Sequence, residues 1–109
     1  MTQVEFVDKC VKVDEFWGLR MPMMAMEEAG EFIQAISKMQ RSLDEGIAVQ
    51  QKNDKEVKEA SLFQIGKRRK ELSEEIGDMY ISLMAIMNHY GVTCEEVNEY
   101  VDKKLNKKY

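Results

Sequence analysis

The sequence has few of the residues that build thiol or imidazole metal sites. Its 109 residues include a single histidine, His89, and two cysteines, Cys10 and Cys94. Two cysteines so far apart in the chain do not make a disulfide framework or a cysteine–histidine metal cluster. We therefore expect both cysteines to be reduced core residues, and any metal site to depend on other ligands.

Long hydrophobic runs are also missing. No stretch reaches the roughly eighteen consecutive apolar residues of a membrane span. The opening MTQVEFVDKC has no basic start followed by an apolar run, so we expect a cytoplasmic protein with no membrane partner. The net charge of -4 and the pI near 5.1 argue against binding to a nucleic acid polymer, although GKRRK at 66–70 is a local basic patch.

The alternation of apolar and polar residues that marks β-strands is absent, and Pro22 is the only proline. Helix-forming residues dominate instead, which favours an all-α fold with a four-helix bundle core in one domain, residues 1–109. Gly46 is predicted to follow the second helix, and Gly66 to break or kink the third. The predicted helices cover 3–17, 22–44, about 61 or 67 to 90, and a last segment opening at Thr93 with Val97, Tyr100, Val101 and Leu105 inward.

Acidic residues interrupt an otherwise apolar helix face at EEAGEF, residues 27–32. At about 100° per residue, Glu28 falls inside the apolar arc of this helix and Glu31 falls at its edge one turn along. Glu27 turns toward solvent. Because residues three apart are neighbours on a helix, the carboxylates of Glu28 and Glu31 can converge on one point.

Nearly the same phrase returns at EEIGDM, residues 74–79, where Glu75 and Asp78 take the same two positions on the later helix. A carboxylate directed into a core is costly unless it is protonated, paired or bound to a cation. Arg68 is the one basic residue near this arc, so a buried salt-bridge network is the alternative to a metal site. A di-iron site would require an acid three residues before His89, where Ile86 stands.

Ligands that are only carboxylate oxygens suit hard cations, Mg²⁺ with Mn²⁺ as a substitute, rather than zinc or copper. Mg²⁺ held by few protein ligands keeps waters and recruits substrate phosphates. The acid pairs therefore predict a metal-dependent site for a phosphorylated small molecule.

The two acid pairs resemble the signature of the all-α nucleoside triphosphate pyrophosphohydrolases, the superfamily of the MazG proteins. These proteins carry E-x-x-E on one helix and E-x-x-D on a later one, matched here by Glu28 to Glu31 and by Glu75 to Asp78. The resemblance extends from about Trp17 to the C terminus. There VDKKLNKK is similar to the closing helix of the family.

The resemblance implies a Mg²⁺-dependent hydrolase that cleaves a nucleoside or deoxynucleoside triphosphate to the monophosphate and pyrophosphate. It implies that Glu28, Glu31, Glu75 and Asp78 bind one to three metal ions. Glu27 or one of the ligands, Glu28 above all, would orient or deprotonate the attacking water.

The resemblance also suggests substrate contacts outside the acid motifs. Lys104 matches the lysine of the closing helix, Asn106 lies outside the usual register of its asparagine, and Arg20 is a further phosphate contact. Trp17 either stacks on a base or belongs to the core. A bundle this small is expected to share its core with a second copy, as a dimer or alternatively a tetramer.

Residues 45–66 depart from the family pattern, because the gap between the two acidic helices is longer than usual. We interpret them as an added helix or a lid that shapes the base pocket. Three other functions stay open: a phosphoribosyl-ATP-type pyrophosphohydrolase, a non-enzymatic helical binding module, and a structural bundle with buried salt bridges.

Overall fold

The computed structural model describes residues 1–108, and in this range it contains helices and no strand. The prediction of an all-α fold is confirmed. The elements are α1 (Gln3–Trp17), a short 3-10 turn (Gly18–Arg20), α2 (Met21–Gln50), α3 (Lys55–Tyr90) and α4 (Cys94–Lys108).

The ends of α1 follow from local chemistry. The Thr2 side chain accepts a hydrogen bond from the Glu5 backbone N–H at 3.1 Å and so caps the first turn. Gly18 ends the helix with a φ of 54°, a backbone conformation that is costly for residues with a Cβ. The predicted range of this helix, 3–17, is confirmed.

Helices α2 and α3 are longer than the sequence predicted. α2 continues past residue 44 to Gln50, and a four-residue turn at 51–54 leads into α3. Asp54 Oδ1 caps α3 by accepting from the backbone N–H groups of Glu56 and Val57 at 3.0 and 3.2 Å. α3 then runs without a break through Gly66. Residues 45–66 therefore lengthen both helices and supply the turn between them.

The prediction that Gly46 follows the end of α2 is wrong. This glycine lies within α2, where it packs against α3. It is buried, and a Cβ built on it would lie 3.0 Å from Ile65 Cδ1 and 3.2 Å from Ser61 Oγ. The absence of a side chain thus lets α2 and α3 approach closely at this level.

The chain divides into two compact units. The hairpin unit is residues 26–80, formed by most of α2, the 51–54 turn and most of α3; the terminal unit is residues 1–25 together with 81–109. Ala35, Ser42 and Gly46 are buried in the hairpin unit. That the chain is one MazG-like domain stays a prediction.

The terminal unit contains a buried polar network between α1 and the end of α3. Asp14 is 8% exposed. Its Oδ2 accepts from Asn88 Nδ2 at 2.8 Å, and its Oδ1 lies 2.8 Å from Nδ1 of His89. Both oxygens of this carboxylate are therefore satisfied by the protein itself.

Several apolar side chains that were predicted to point inward are exposed. The prediction of a buried Cys94 is wrong, because this thiol is exposed while that of Cys10 is buried. The predicted inner face of α4 is exposed as well, with Tyr100 at 63% and its neighbours Val97, Val101 and Leu105 also open. An amphipathic pattern gives a helix an apolar face without saying what covers it.

Across residues 1–108, no helix combines the length and apolar character needed to cross a membrane. The cytoplasmic location stays a prediction.

Candidate functional site

Both acid pairs lie on the two helices of the hairpin unit, at similar distances along the chain from the 51–54 turn. Glu28 and Glu31 are on α2, and Glu75 and Asp78 are on α3. Because the short turn makes these helices antiparallel, residues at equal distances from it lie at the same level. The spacing of three residues places the members of each pair on one helix face.

Three of the four predicted ligands come together in the structure. One carboxylate oxygen from each of Glu28, Glu75 and Asp78 lies within 4.8 Å of the other two. Glu28 and Glu75 are half-buried, whereas Asp78 is exposed. Glu28 of α2 thus meets Glu75 and Asp78 of α3, and Glu31 is not part of this group.

Two oxygens of this group are left without a partner. Glu28 Oε2 and Glu75 Oε2 are buried, and neither makes a hydrogen bond with any residue in the described range. A buried polar atom with no partner costs about 1–3 kcal/mol, and more when it is charged. A bound cation or a hydrogen-bond donor would therefore stabilise these two oxygens.

Burial and mutual repulsion both act on these carboxyl groups. The pKa of Glu28 is raised from 4.5, first by burial and then by the charges of Glu31, Asp78 and Glu75. The pKa of Glu75 is also raised, first by burial and then by the charges of Glu31, Asp78 and Glu74. The neighbouring carboxylates thus make ionisation of Glu28 and Glu75 harder, which is the electrostatic condition that a bound cation relieves.

The alternative of a buried salt-bridge network is not supported by the contacts of Arg68. This guanidinium pairs with Glu71 at 3.0 Å and not with Glu75. Within residues 1–108, none of the ion pairs includes any of the four motif acids. The all-oxygen donor set and the unpartnered oxygens therefore fit a hard divalent cation.

Glu31 lies beside the group of three rather than within it. It lines a cavity of about 270 Å³, here called the acidic cavity. The other residues around the acidic cavity are Gln34, Ala35, Lys38, Glu71 and Glu75. Glu31 thus faces the same space as Glu75.

Glu27 is exposed on α2, as the helix geometry predicted. The structure does not place it in the group formed by Glu28, Glu75 and Asp78.

The predicted substrate contacts outside the acid motifs belong to the terminal unit. Arg20 Cζ lies 5.5 Å from the centre of the half-buried Trp17 ring, a cation–π contact. Lys104 Nζ makes a similar contact with Tyr100 at 5.8 Å, and Asn106 is exposed on α4. The roles of these residues toward a substrate stay predictions.

The family of the chain follows from a match with a known protein domain. Residues 19–109 match the MazG nucleotide pyrophosphohydrolase domain.

The chain belongs to this family. Both acid motifs lie inside the matched region, so the resemblance read from them is confirmed. The MazG match indicates a hydrolase that acts on phosphoanhydride bonds of nucleotides. No curated protein and no solved structure gave a significant match to the chain.

Sequence reasoning missed Lys38 and Gln34, which line the acidic cavity of this MazG domain. A signal for Lys38 was present, because it follows Glu31 by seven residues and so returns to nearly the same helix face.

Proposed function

We propose that this MazG domain is a Mg²⁺-dependent pyrophosphohydrolase that converts a nucleoside or deoxynucleoside triphosphate to the monophosphate and pyrophosphate. The observation that carries the proposal is the group of Glu28, Glu75 and Asp78, with two buried oxygens that no protein group satisfies. It lies within the region that matches a nucleotide pyrophosphohydrolase domain.

The cation would be held by Glu28, Glu75 and Asp78 together with Glu31, and Mn²⁺ would substitute for Mg²⁺ because both are hard cations. When bound, the cation supplies charge neutralisation and polarisation of the phosphoryl oxygens. Support for this ligand set comes from the donor chemistry and from the absence of a competing ion pair at these acids among the described residues.

The reaction also needs a group that accepts a proton from the attacking water. The water oxygen forms a bond to the α-phosphorus, the bond from that phosphorus to the bridging oxygen breaks, and pyrophosphate leaves. Glu28 is proposed as the base, because its carboxylate lies in the group of acids that would hold the cation and is within reach of a water bound there. Glu27, exposed one position earlier on α2, is proposed to orient the water.

For the remaining substrate contacts we propose Lys104, Asn106 and Arg20 as groups that bind phosphate oxygens, and Trp17 as a base-stacking residue. Lys and Arg donate charge-assisted hydrogen bonds that suit phosphate. The contact between Arg20 and Trp17 holds a cation and an aromatic face side by side in the terminal unit. We further propose that residues 45–66 shape the base pocket.

A homodimer is the proposed assembly, with a tetramer as the alternative. Large apolar side chains are exposed on all four helices, including Phe16, Ile33, Phe63 and Tyr100. Apolar surface of this kind on a monomeric soluble protein commonly marks an interaction site. Sedimentation at micromolar concentration should give twice or four times the mass of the chain; a stable monomer would contradict the proposal.

The experiment that tests the function measures pyrophosphate release from all ribo- and deoxyribonucleoside triphosphates, including dUTP, with and without Mg²⁺. The wild type is compared with Glu28→Gln, Glu75→Gln and the control Glu74→Gln. Glu74 is the exposed neighbour of Glu75 and has the same chemistry. We expect Mg²⁺-dependent release that is lost in the two site variants and kept in the control.

Two results would overturn the proposal. Release that continues in Glu28→Gln and Glu75→Gln would remove these acids from the site. No release from any triphosphate, with turnover of a phosphoribosyl-ATP-type substrate or with Mg²⁺ binding alone, would replace the proposed reaction by one of the alternatives.

A further inference from the structure

A second cavity lies beside the acidic cavity in the hairpin unit and has the opposite charge. This basic cavity measures about 180 Å³. Its lining residues are Lys38, Arg41, Ser42, Glu45, Gln64 and Arg68. Three cations and one carboxylate therefore face a space that is smaller than the roughly 300–1,000 Å³ of pockets for drug-sized ligands.

Two of the three cations have no charged partner. Neither Lys38 nor Arg41 forms an ion pair with any residue of the described chain. Cations grouped around a concavity raise the local positive potential and attract anions. This pair therefore provides charge for a ligand rather than for the fold.

Arg68 is held in a fixed orientation at the cavity wall. Its Nη1 donates to Glu71 Oε2 at 3.0 Å. When the Gln64 side-chain amide is oriented with its oxygen toward Arg68, Nη2 and Nε of Arg68 donate to that oxygen at 2.9 and 3.1 Å. A guanidinium has five N–H donors, so donors remain for a further acceptor. Holding the fork in place beforehand lowers the entropy cost of binding an anion.

The acidic and basic cavities are neighbours along the same pair of helices. Lys38 lines both of them, and Glu71, which lines the acidic cavity, is the partner of Arg68. Lys38 follows Glu31 by seven residues on α2, and Arg68 precedes Glu75 by seven on α3. Each separation is about 10 Å along the helix axis. Lys38 on α2 and Arg68 on α3 thus lie about two turns nearer to the 51–54 turn than Glu31 and Glu75, and Arg41, ten residues after Glu31, lies about one turn nearer still.

We propose that the basic cavity binds the terminal phosphates of the nucleoside triphosphate, the end that leaves as pyrophosphate; this assignment rests on the proposed function. The α-phosphoryl group then lies at the acids and the tail extends along α2 and α3 toward the turn. Arg41 and Arg68 donate charge-assisted hydrogen bonds to the terminal phosphate oxygens, and Lys38 binds oxygens between the two cavities. A nucleoside monophosphate, which lacks this tail, makes none of these contacts.

The kinetic test compares Arg41→Gln and Arg68→Gln with Arg69→Gln, measured on the triphosphate that the wild type hydrolyses best. Arg69 is the neighbouring exposed arginine on α3 and lines neither cavity. We expect KM to rise about tenfold or more in each cavity variant, as for the loss of a charged hydrogen bond, and to change less than about twofold in the control. Inhibition by the monophosphate should be unchanged throughout.

Arg41 is exposed, so its variant is expected to fold even if Arg68→Gln does not. A conservative Arg41→Lys variant should recover part of the lost affinity. Equal KM values for Arg41→Gln and Arg69→Gln, with hydrolysis intact, would overturn the cavity assignment and leave the proposed function standing.

Calorimetric titration with inorganic pyrophosphate in the presence of Mg²⁺ provides a readout that does not need turnover. We expect binding in the wild type and in Arg69→Gln, binding weakened about tenfold or more in Arg41→Gln, and competition with the triphosphate. Pyrophosphate that binds through Arg41 while no nucleotide is hydrolysed would show that the anion site is present and the proposed function is wrong. Pyrophosphate or inorganic phosphate that binds without competing would mark an independent anion site and overturn the tail assignment.

Discussion

Asp14 lies in the terminal unit and Glu28 lies in the hairpin unit. The oxygens of these two carboxylates differ in whether they have hydrogen-bond partners. Both oxygens of Asp14 are satisfied, by Asn88 and His89 at 2.8 Å each. Glu28 Oε2 is buried with no hydrogen-bond partner in the described range, and so is Glu75 Oε2.

Asp14 therefore has a structural role, whereas Glu28 and Glu75 each have an oxygen available to a ligand. A buried carboxylate with protein partners stabilises the arrangement of the helices that carry them. Buried carboxylates near one another without partners destabilise the fold, so such a group points to a functional site. Removing the two kinds of acid should therefore have opposite consequences.

The largest expected effect is on catalysis. Asp78→Asn keeps the size of the side chain and removes one charge from the group with Glu28 and Glu75. We expect kcat/KM for the triphosphate to fall about 100-fold or more, equal to about 3 kcal/mol of lost transition-state stabilisation, with helicity by circular dichroism unchanged. Retained turnover in Asp78→Asn would show that this carboxylate is not needed for catalysis and would contradict the contrast with Asp14.

Mg²⁺ should stabilise the protein through the unpartnered oxygens. Since a ligand that binds only the folded state stabilises it by mass action, Mg²⁺ at 100 times its Kd should add about 2.7 kcal/mol to the free energy of unfolding. The thermal midpoint of the wild type should rise with Mg²⁺, and that of Glu28→Gln combined with Glu75→Gln should not. Identical midpoints for both proteins at all Mg²⁺ concentrations would mean that these acids do not bind the cation.

Removal of the satisfied acid should act on stability instead. Asp14→Ala leaves Asn88 and His89 without their partner, and we expect the free energy of unfolding to fall by about 1–3 kcal/mol. The control Asp8→Ala changes an exposed acid on the same helix and should have little effect. In EDTA, the combined Glu28 and Glu75 variant should be as stable as the wild type or more so. Equal stability of Asp14→Ala and Asp8→Ala in urea would contradict the structural role.

The smallest expected effect is a dependence of stability on pH without metal. The pKa values of Glu28 and Glu75 are raised from 4.5 in the folded state, so the folded protein holds these protons more tightly than the unfolded chain does. Their contribution to stability is complete below pH 4.5 and is lost as the pH rises through the raised pKa values. Urea unfolding in EDTA should show this decline in the wild type and a flatter profile in the combined variant. Saturating Mg²⁺ should reverse the trend, because the cation binds the ionised form.

The acid positions were predictable because they depend on a local property, the helix repeat. A separation of three positions, as from Glu28 to Glu31 or from Glu75 to Asp78, defines a shared face wherever the helix lies. Helix caps are equally local, because Thr2 and Asp54 accept hydrogen bonds from backbone N–H groups in the first turns of α1 and α3.

The predictions from the sequence were wrong where one residue type has two possible structural roles. A glycine that ends a helix and a glycine that lets two helices approach look the same in a sequence, so Gly46 was read as an end when it is a contact with Ile65. The inward face predicted for α4 failed for a related reason. Periodicity identifies the apolar side of Tyr100 and its neighbours, but their exposure depends on what lies opposite.

By itself the sequence determined the helical class, the two acid pairs and the kind of cation they suit, because helix periodicity and ligand chemistry act over a few residues. Only the tertiary structure decided which acids meet, which oxygens are left without partners, and that cations from α2 and α3 share a cavity beside them. These features join residues far apart in the chain. They arise from how closely the helices pack, and that depends on side-chain shape along the whole contact.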